Sequence, residues 1–187
     1  MRYDKKQLCL IWIDSFLGLE YKHKKELVNL IEEKADIPFI LENAKEYVIT
    51  DAELERVKNN YPVIWNDKNS KPKLCFMGCP HMSLQQLKDW TDKVESALKQ
   101  YGNKKVVIPT VFTAAPKVLE QFNKTEYAER LKKTGVITSY ICPLMYMNNP
   151  LCAKMPVITS SNKLRTYTTS RYYTDDEILV QITKGGN

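Results

Sequence analysis

The chain has 187 residues, 43% of them hydrophobic, and a formal charge of +6, enough to bury a core as one domain. No apolar run approaches the ~20 residues that a bilayer crossing needs, so no membrane partner is expected. The positive charge is spread along the chain, as at Lys22, Lys24, Lys25, Lys104 and Lys105, the pattern of a solvated surface with no aromatic-studded basic face; a nucleic-acid partner is therefore not expected, and an anionic small molecule stays open.

In chain order, residues 8–16, LCLIWIDSF, read as a buried strand, and Lys22 to Lys34, with Leu27, Leu30 and Ile31 at helical spacing, as an amphipathic helix. YVITDAELERVKNN offers Thr50 or Asp51 as N-cap of a helix that Pro62 closes. The polar stretch Asn66 to Lys73 predicts a surface loop and a boundary. Beyond it, four apolar segments (KLCFMG, KKVVIPTVF, GVITSYIC, MPVITS) alternate with helical ones. Such alternation implies β/α units on a parallel sheet.

The first of these helices has Ser83 as N-cap and Gln86 three residues on, a capping box, with Leu84, Leu87, Val94 and Leu98 as its buried stripe. Lys117 to Lys133 predicts one helix, ending near Gly135, and a last helix starts at Thr174 or Asp175 and stops at Gly185. The expected fold is α/β, three layers in αβα order around a mainly parallel sheet. The expected organisation is a single domain over 1–187, with 1–66 as an amino-terminal portion.

Five cysteines (Cys9, Cys75, Cys79, Cys142, Cys152) form an odd set with no signal peptide before them, which predicts reduced thiols in a cytoplasm. Ligands of open parallel sheets bind at the carboxyl ends of the strands, and GCPHMS, FTAAP, ICPL and SSNK all fall there. Cys79 is expected exposed at a helix N-terminus, where a thiolate is favoured; it reads as a metal ligand, a nucleophile or simply a turn residue. Cys75 and Cys9 read as core.

His81 bonds its own loop or contacts substrate; the other histidine, His23, is too far along the chain to complete a local zinc site. Cys142 precedes Pro143 as Cys79 precedes Pro80, and two such cysteines in neighbouring units can meet in space. Cys152 lies in a loop, as a free thiol or a spare ligand. Ser160, Ser161, Asn162 and Lys163 can cradle a carboxylate or phosphate, or merely cap a helix; Arg165 and Arg171 add positive charge nearby.

GCPHMSLQQL, GVITSYIC and VITSSNK, in that order, resemble the carboxyl-terminal half of the catalytic domain of aconitase X proteins, over roughly residues 47 to 187 and chiefly 72–187. These are hydro-lyases related to aconitase, known as cis-3-hydroxy-L-proline and mevalonate-5-phosphate dehydratases. The resemblance implies an iron–sulfur cluster acting as Lewis acid on a small anionic hydroxy acid, with Cys142 as a cluster cysteine and Cys79 in or beside that site. It further implies that Ser160, Ser161 and Lys163 are catalytic, and that His81, Ser83, Asn162 and Arg165 bind substrate. This chain departs from the family at Tyr140 and Ile141, where an acidic residue and a threonine are usual, and at 159–163, where T-N-S-A-K is usual. Nothing in residues 1–46 replaces the longer amino-terminal side of the family's domain.

The expectation is thus a hydro-lyase fragment with an incomplete ligand set, inactive alone or completed by a complementary subunit. A noncatalytic anion-binding or interaction module is the alternative, and a cysteine hydrolase ranks third, with no histidine and carboxylate arranged around Cys79.

Overall fold

The computed structural model describes residues 49–184. The strand at 8–16 with Cys9, the helix Lys22 to Lys34 with His23, and the stop at Gly185 lie outside the described residues. The chain divides between Glu55 and Arg56 into two compact units, and the fold below is that of the second. It is entered through helix α1 (Asp51–Asn59), whose first turn is capped by the Thr50 hydroxyl, accepting from the Glu53 amide at 3.2 Å.

After an exposed loop, β1 (Leu74–Met82) leads into α2 (Leu84–Tyr101), β2 (Thr110–Ala114), α3 (Pro116–Phe122), α4 (Glu126–Lys133) and β3 (Ile137–Ser139). Then come α5 (Pro143–Met147), α6 (Pro150–Ala153), β4 (Val157–Thr159), α7 (Asn162–Tyr167), β5 (Arg171–Tyr172) and α8 (Asp175–Thr183). The strands form one five-stranded sheet in the order β3-β2-β1-β4-β5, and every pairing is parallel. The expected α/β architecture is present.

Two apolar clusters, one on each face of the sheet, follow the period-2 alternation of the strands. Cys75, Met77, Phe112 and Ile158 face one way and meet Leu87, Trp90, Val94 and Leu98 of α2, together with residues of α3, α4 and α8. Phe76 and Val157 face the other way and meet Met147 and Leu164 of α5 and α7. Phe112, Phe122, Leu87 and Leu131 are fully buried, each side chain worth about 1.5–3 kcal/mol.

The local signals act as physical chemistry dictates. Ser83 Oγ accepts from the Gln86 amide at 3.1 Å while Gln86 Oε1 accepts from the Ser83 amide at 2.8 Å, and Thr174 with Glu177 builds the same box on α8. Gly135, at a φ of 83°, follows the end of α4 in the left-handed conformation.

Two readings change, and one strand has no signal in the sequence. Lys117 to Lys133 is two helices, because the Thr125 hydroxyl donates to the Phe122 carbonyl at 2.7 Å and turns the chain there; the break lets both Phe122 and Leu131 reach the core. β2 begins only after Pro109, which lacks a ladder amide although its carbonyl accepts from Cys75 at 2.9 Å. β5 is two residues of half-buried Arg171 and Tyr172, too short for any periodicity.

Candidate functional site

The chain lays β2 and β3 on one side of β1, then β4 and β5 on the other. Order reverses between β1 and β4, and parallel open sheets bind ligands beyond the carboxyl ends of the strands at such a switch point. Two segments stand there: Gly78 to His81 late in β1, and Ser160 to Lys163 after β4.

Regular alternation would put Cys79 on the face of Cys75 and Met77. It packs instead with Phe76, Val157, Met147 and Leu164 on the opposite face, and a bulge is the cause. Met77 pairs with Phe112 and Met82 with Ala114, so only Thr113 stands opposite the β1 residues between them. Gly78 takes a φ of 101°, open to glycine and strained for other residues. A Cβ there would stand 2.2 Å from the Thr113 carbonyl oxygen and 2.5 Å from its hydroxyl. That buried hydroxyl donates to the Gly78 carbonyl at 2.7 Å and lies 3.2 Å from the Met77 carbonyl. Bulges re-aim side chains in this way.

Cys79 therefore differs from the exposed thiolate expected of it. It lies inside β1, 8% exposed, rather than at a helix N-terminus. Burial pushes its thiol up, a hydrogen bond from the Ser161 hydroxyl and the charge of Lys163 pull it back, and the neighbouring Cys142 pushes it up again. At neutral pH Cys79 is a thiol.

The packing of α5 and α7 on β1 brings these residues near one another. Ser161, itself buried, caps α7 by accepting from the Leu164 amide at 2.9 Å and stands close enough to Cys79 to influence its thiol. Cys142, half-buried, occupies the N-cap position of α5, and α5 packs across β1 and α7. Thus Cys79, Cys142, Ser161 and Lys163 share one rim, although 63 positions separate the two thiols in the sequence.

The other candidates are placed differently. Ser160 donates to the Met77 sulfur at 3.5 Å, toward the opposite face from Ser161. Asn162 and Arg165 engage each other, with Asn162 Oδ1 accepting from Arg165 at 2.7 and 3.0 Å, and the guanidinium lies 3.8 Å over the ring of Tyr61. Ser83 is engaged in its cap, and His81 is exposed beside the bulge. Cys75 is sealed in the core, as expected. Cys152, on α6, packs against the Cys79 cluster.

Sequence reasoning missed Tyr146, whose ring stacks on Phe76 at 5.2 Å and whose hydroxyl lies 2.9 Å from that of Ser139. The pair joins the end of β3 to α5 on either side of Cys142 in the chain, and no local pattern in the sequence signals it.

Two thiols are half of the four-cysteine set that iron–sulfur clusters ordinarily use. Among the described residues no three His, Cys, Asp or Glu side chains gather as metal ligands, so these residues do not by themselves fit a cluster. Among them, too, no helix is long and apolar enough to cross a membrane.

No curated protein matches the chain. Among solved structures it is similar to the crystal structure of Thermococcus kodakaraensis aconitase X in its holo-form, with a TM-score of 0.57 and 20% identity. That likeness covers 75% of this chain but 36% of the other, so this chain corresponds to about a third of that structure. The family model of the aconitase X third domain matches residues 72–177, more than half of the sequence, and the chain belongs to the aconitase X family.

Proposed function

We propose that this chain supplies one wall of an aconitase-X-type hydro-lyase site, which dehydrates a small anionic hydroxy acid once a complementary polypeptide contributes the missing part. What supports this reading is that Cys79, at the β1 bulge, packs with Met147 of α5 and Leu164 of α7, the two helices that begin at Cys142 and Ser161, beside the switch point of the sheet. In it, residues 72–187 form the aconitase-X-like region, and Cys142 and Cys79 are partial ligands of an iron–sulfur group. Ser161 and Lys163 meet the anionic end of the substrate, a hydroxyl donor beside an ammonium. Ser160, Asn162, Arg165, His81 and Ser83 border this core and join it only by letting go of, or adding to, their present contacts. A reducing compartment such as the cytoplasm suits its free thiols.

The incomplete thiol set supports a second reading, a noncatalytic module that keeps the anion pocket. Anaerobic reconstitution with iron and sulfide separates the two, performed on the full chain alone and in complex with any polypeptide that co-purifies with it. A brown chromophore that Cys142→Ser abolishes supports the hydro-lyase wall. Colourless protein in both preparations favours the binding module.

A further inference from the structure

Where β5 runs into α8, a pocket of about 250 Å³ is lined by Tyr61, Pro62, Tyr172 and Tyr173, with Arg171 and the paired Lys58 and Glu177. Sequence reasoning places Arg171 as charge near residues 160–163, but the structure turns it toward this pocket. Its guanidinium lies 5.2 Å over the Tyr173 ring and 5.6 Å over that of Trp65, and its Nη1 donates to the Lys68 carbonyl at 3.4 Å. No carboxylate among the described residues meets it. A guanidinium carries five donors in a fixed fork, so this one is held in place with most of them unspent.

The walls select the body of a ligand. The Tyr61 and Tyr172 rings stand 5.4 Å apart at 86°, a corner in which a flat ring can stack on one wall and meet the other edge-on, both arrangements that aromatic groups prefer. The Arg165 guanidinium, 3.8 Å over the Tyr61 ring, fixes that wall. Drug-sized ligands occupy pockets of about 300–1,000 Å³, so this one takes a single small ring system. The hydroxyls of Tyr61, Tyr172 and Tyr173 make no hydrogen bond among the described residues. Burial pushes those of Tyr172 and Tyr173 up, which keeps them donors at neutral pH.

Charge selects the head group. Of the two lining cations, Lys58 is taken by Glu177 at 3.1 Å, which leaves Arg171. α8 opens with Asp175, Asp176 and Glu177, and the charges of Asp175 and Glu177 reach Tyr172. One negative charge therefore finds a fork to receive it, whereas a second meets carboxylates. We propose that this pocket binds a small aromatic monocarboxylate, its ring in the Tyr61–Tyr172 corner and its carboxylate on the Arg171 fork. The site goes beyond the hydro-lyase reading and stands independently of it, because none of its lining residues belongs to the Cys79 rim.

Calorimetric titration of the full chain with sodium benzoate tests it. Three further probes accompany benzoate: benzamide has its shape without the charge, cyclohexanecarboxylate the charge without the flat ring, and phenyl phosphate a second negative charge. One benzoate site is expected, with benzamide about tenfold weaker or more and the other two weaker as well. Arg171→Gln should weaken benzoate by a similar factor, and Arg171→Lys, which keeps the charge without the fork, should recover only part. Because Arg171 also packs on Trp65 and Tyr173, NMR contacts from the benzoate ring protons to the parent protein locate the ligand without any substitution; they should reach Tyr61, Tyr172 or Tyr173.

No benzoate binding, equal affinity for benzamide or cyclohexanecarboxylate, a preference for phenyl phosphate, contacts to Phe76 and Tyr146 instead, or an Arg171→Gln variant that binds benzoate as the parent does would overturn the proposal. Iron and sulfide reconstitution reads the hydro-lyase function separately. A chain that binds benzoate at these tyrosines and stays colourless even in complex keeps this site and loses that function, whereas a chromophore in a chain that ignores benzoate does the reverse.

Discussion

The Gly78 carbonyl and the Thr113 hydroxyl are 2.7 Å apart across β1 and β2, and a Cβ on Gly78 would fall 2.2 Å from the Thr113 carbonyl oxygen. Backbone fit and hydrogen bonding meet at one point. Gly78→Ala combines a positive-φ penalty of about 1–3 kcal/mol with a clash against backbone that cannot swing aside. A loss of several kcal/mol by urea denaturation is expected, together with increased alkylation of Cys79 as the bulge loosens. A variant as stable as the parent would mean that β1 and β2 separate freely here.

Thr113→Val keeps the shape and removes the hydroxyl. Two buried carbonyls, of Met77 and Gly78, lose that donor, at a cost of about 1–3 kcal/mol. Thr113→Ser should recover most of it, and denaturant midpoints for the three proteins check the order.

Three substitutions should move the Cys79 thiol in assigned directions. Ser161→Ala removes a hydrogen bond that favours the thiolate and Lys163→Gln removes a favourable charge, so both raise the pH at which Cys79 reacts with iodoacetamide. Cys142→Ser removes the neighbouring sulfur that pushes the Cys79 thiol up, and lowers it. Ser161→Ala also loses the α7 cap, for about 1 kcal/mol. Mass spectrometry of the alkylated peptide against pH gives each midpoint; a Cys142→Ser midpoint above that of the parent would contradict the proximity of the two sulfurs.

Stability should fall in alkaline solution. Burial raises the thiol of Cys75 well above its ordinary range, with Asp175 adding to the effect. Folding therefore holds that proton more tightly than the unfolded chain does. Its contribution is complete below the ordinary thiol range, about pH 8.5, and declines above it by at most about 1.4 kcal/mol per pH unit. Unfolding free energies measured from pH 7 to 10 should decline in that window, and Cys75→Ala should flatten the slope while lowering the plateau. A parent protein of constant stability across this range would contradict the burial.

Features governed by near neighbours could be read from the sequence. Both capping boxes depend on residues three apart, and the end of α4 on the conformational freedom of Gly135. The order of apolar segments implied a parallel sheet, whose carboxyl ends gathered Cys79, Cys142 and the SSNK segment. What could not be read depends on direction. Ser160 and Ser161 are equivalent in composition, yet the pleat sends one toward Met77 and the other toward Cys79. The burial of Cys79 follows from a bulge whose cause, Thr113, is 34 positions away, and the bond between Tyr146 and Ser139 follows from the crossover of α5.

The bulge in β1 makes a thiol's address depend on the sign of one dihedral angle. With an unbroken pleat, Cys79 would join Cys75 and Met77 among hydrocarbon neighbours, and the rim would keep its serine and lysine but only one sulfur. A relative could therefore retain every polar group at this mouth and still forfeit its paired sulfur chemistry through the loss of a residue that has no side chain.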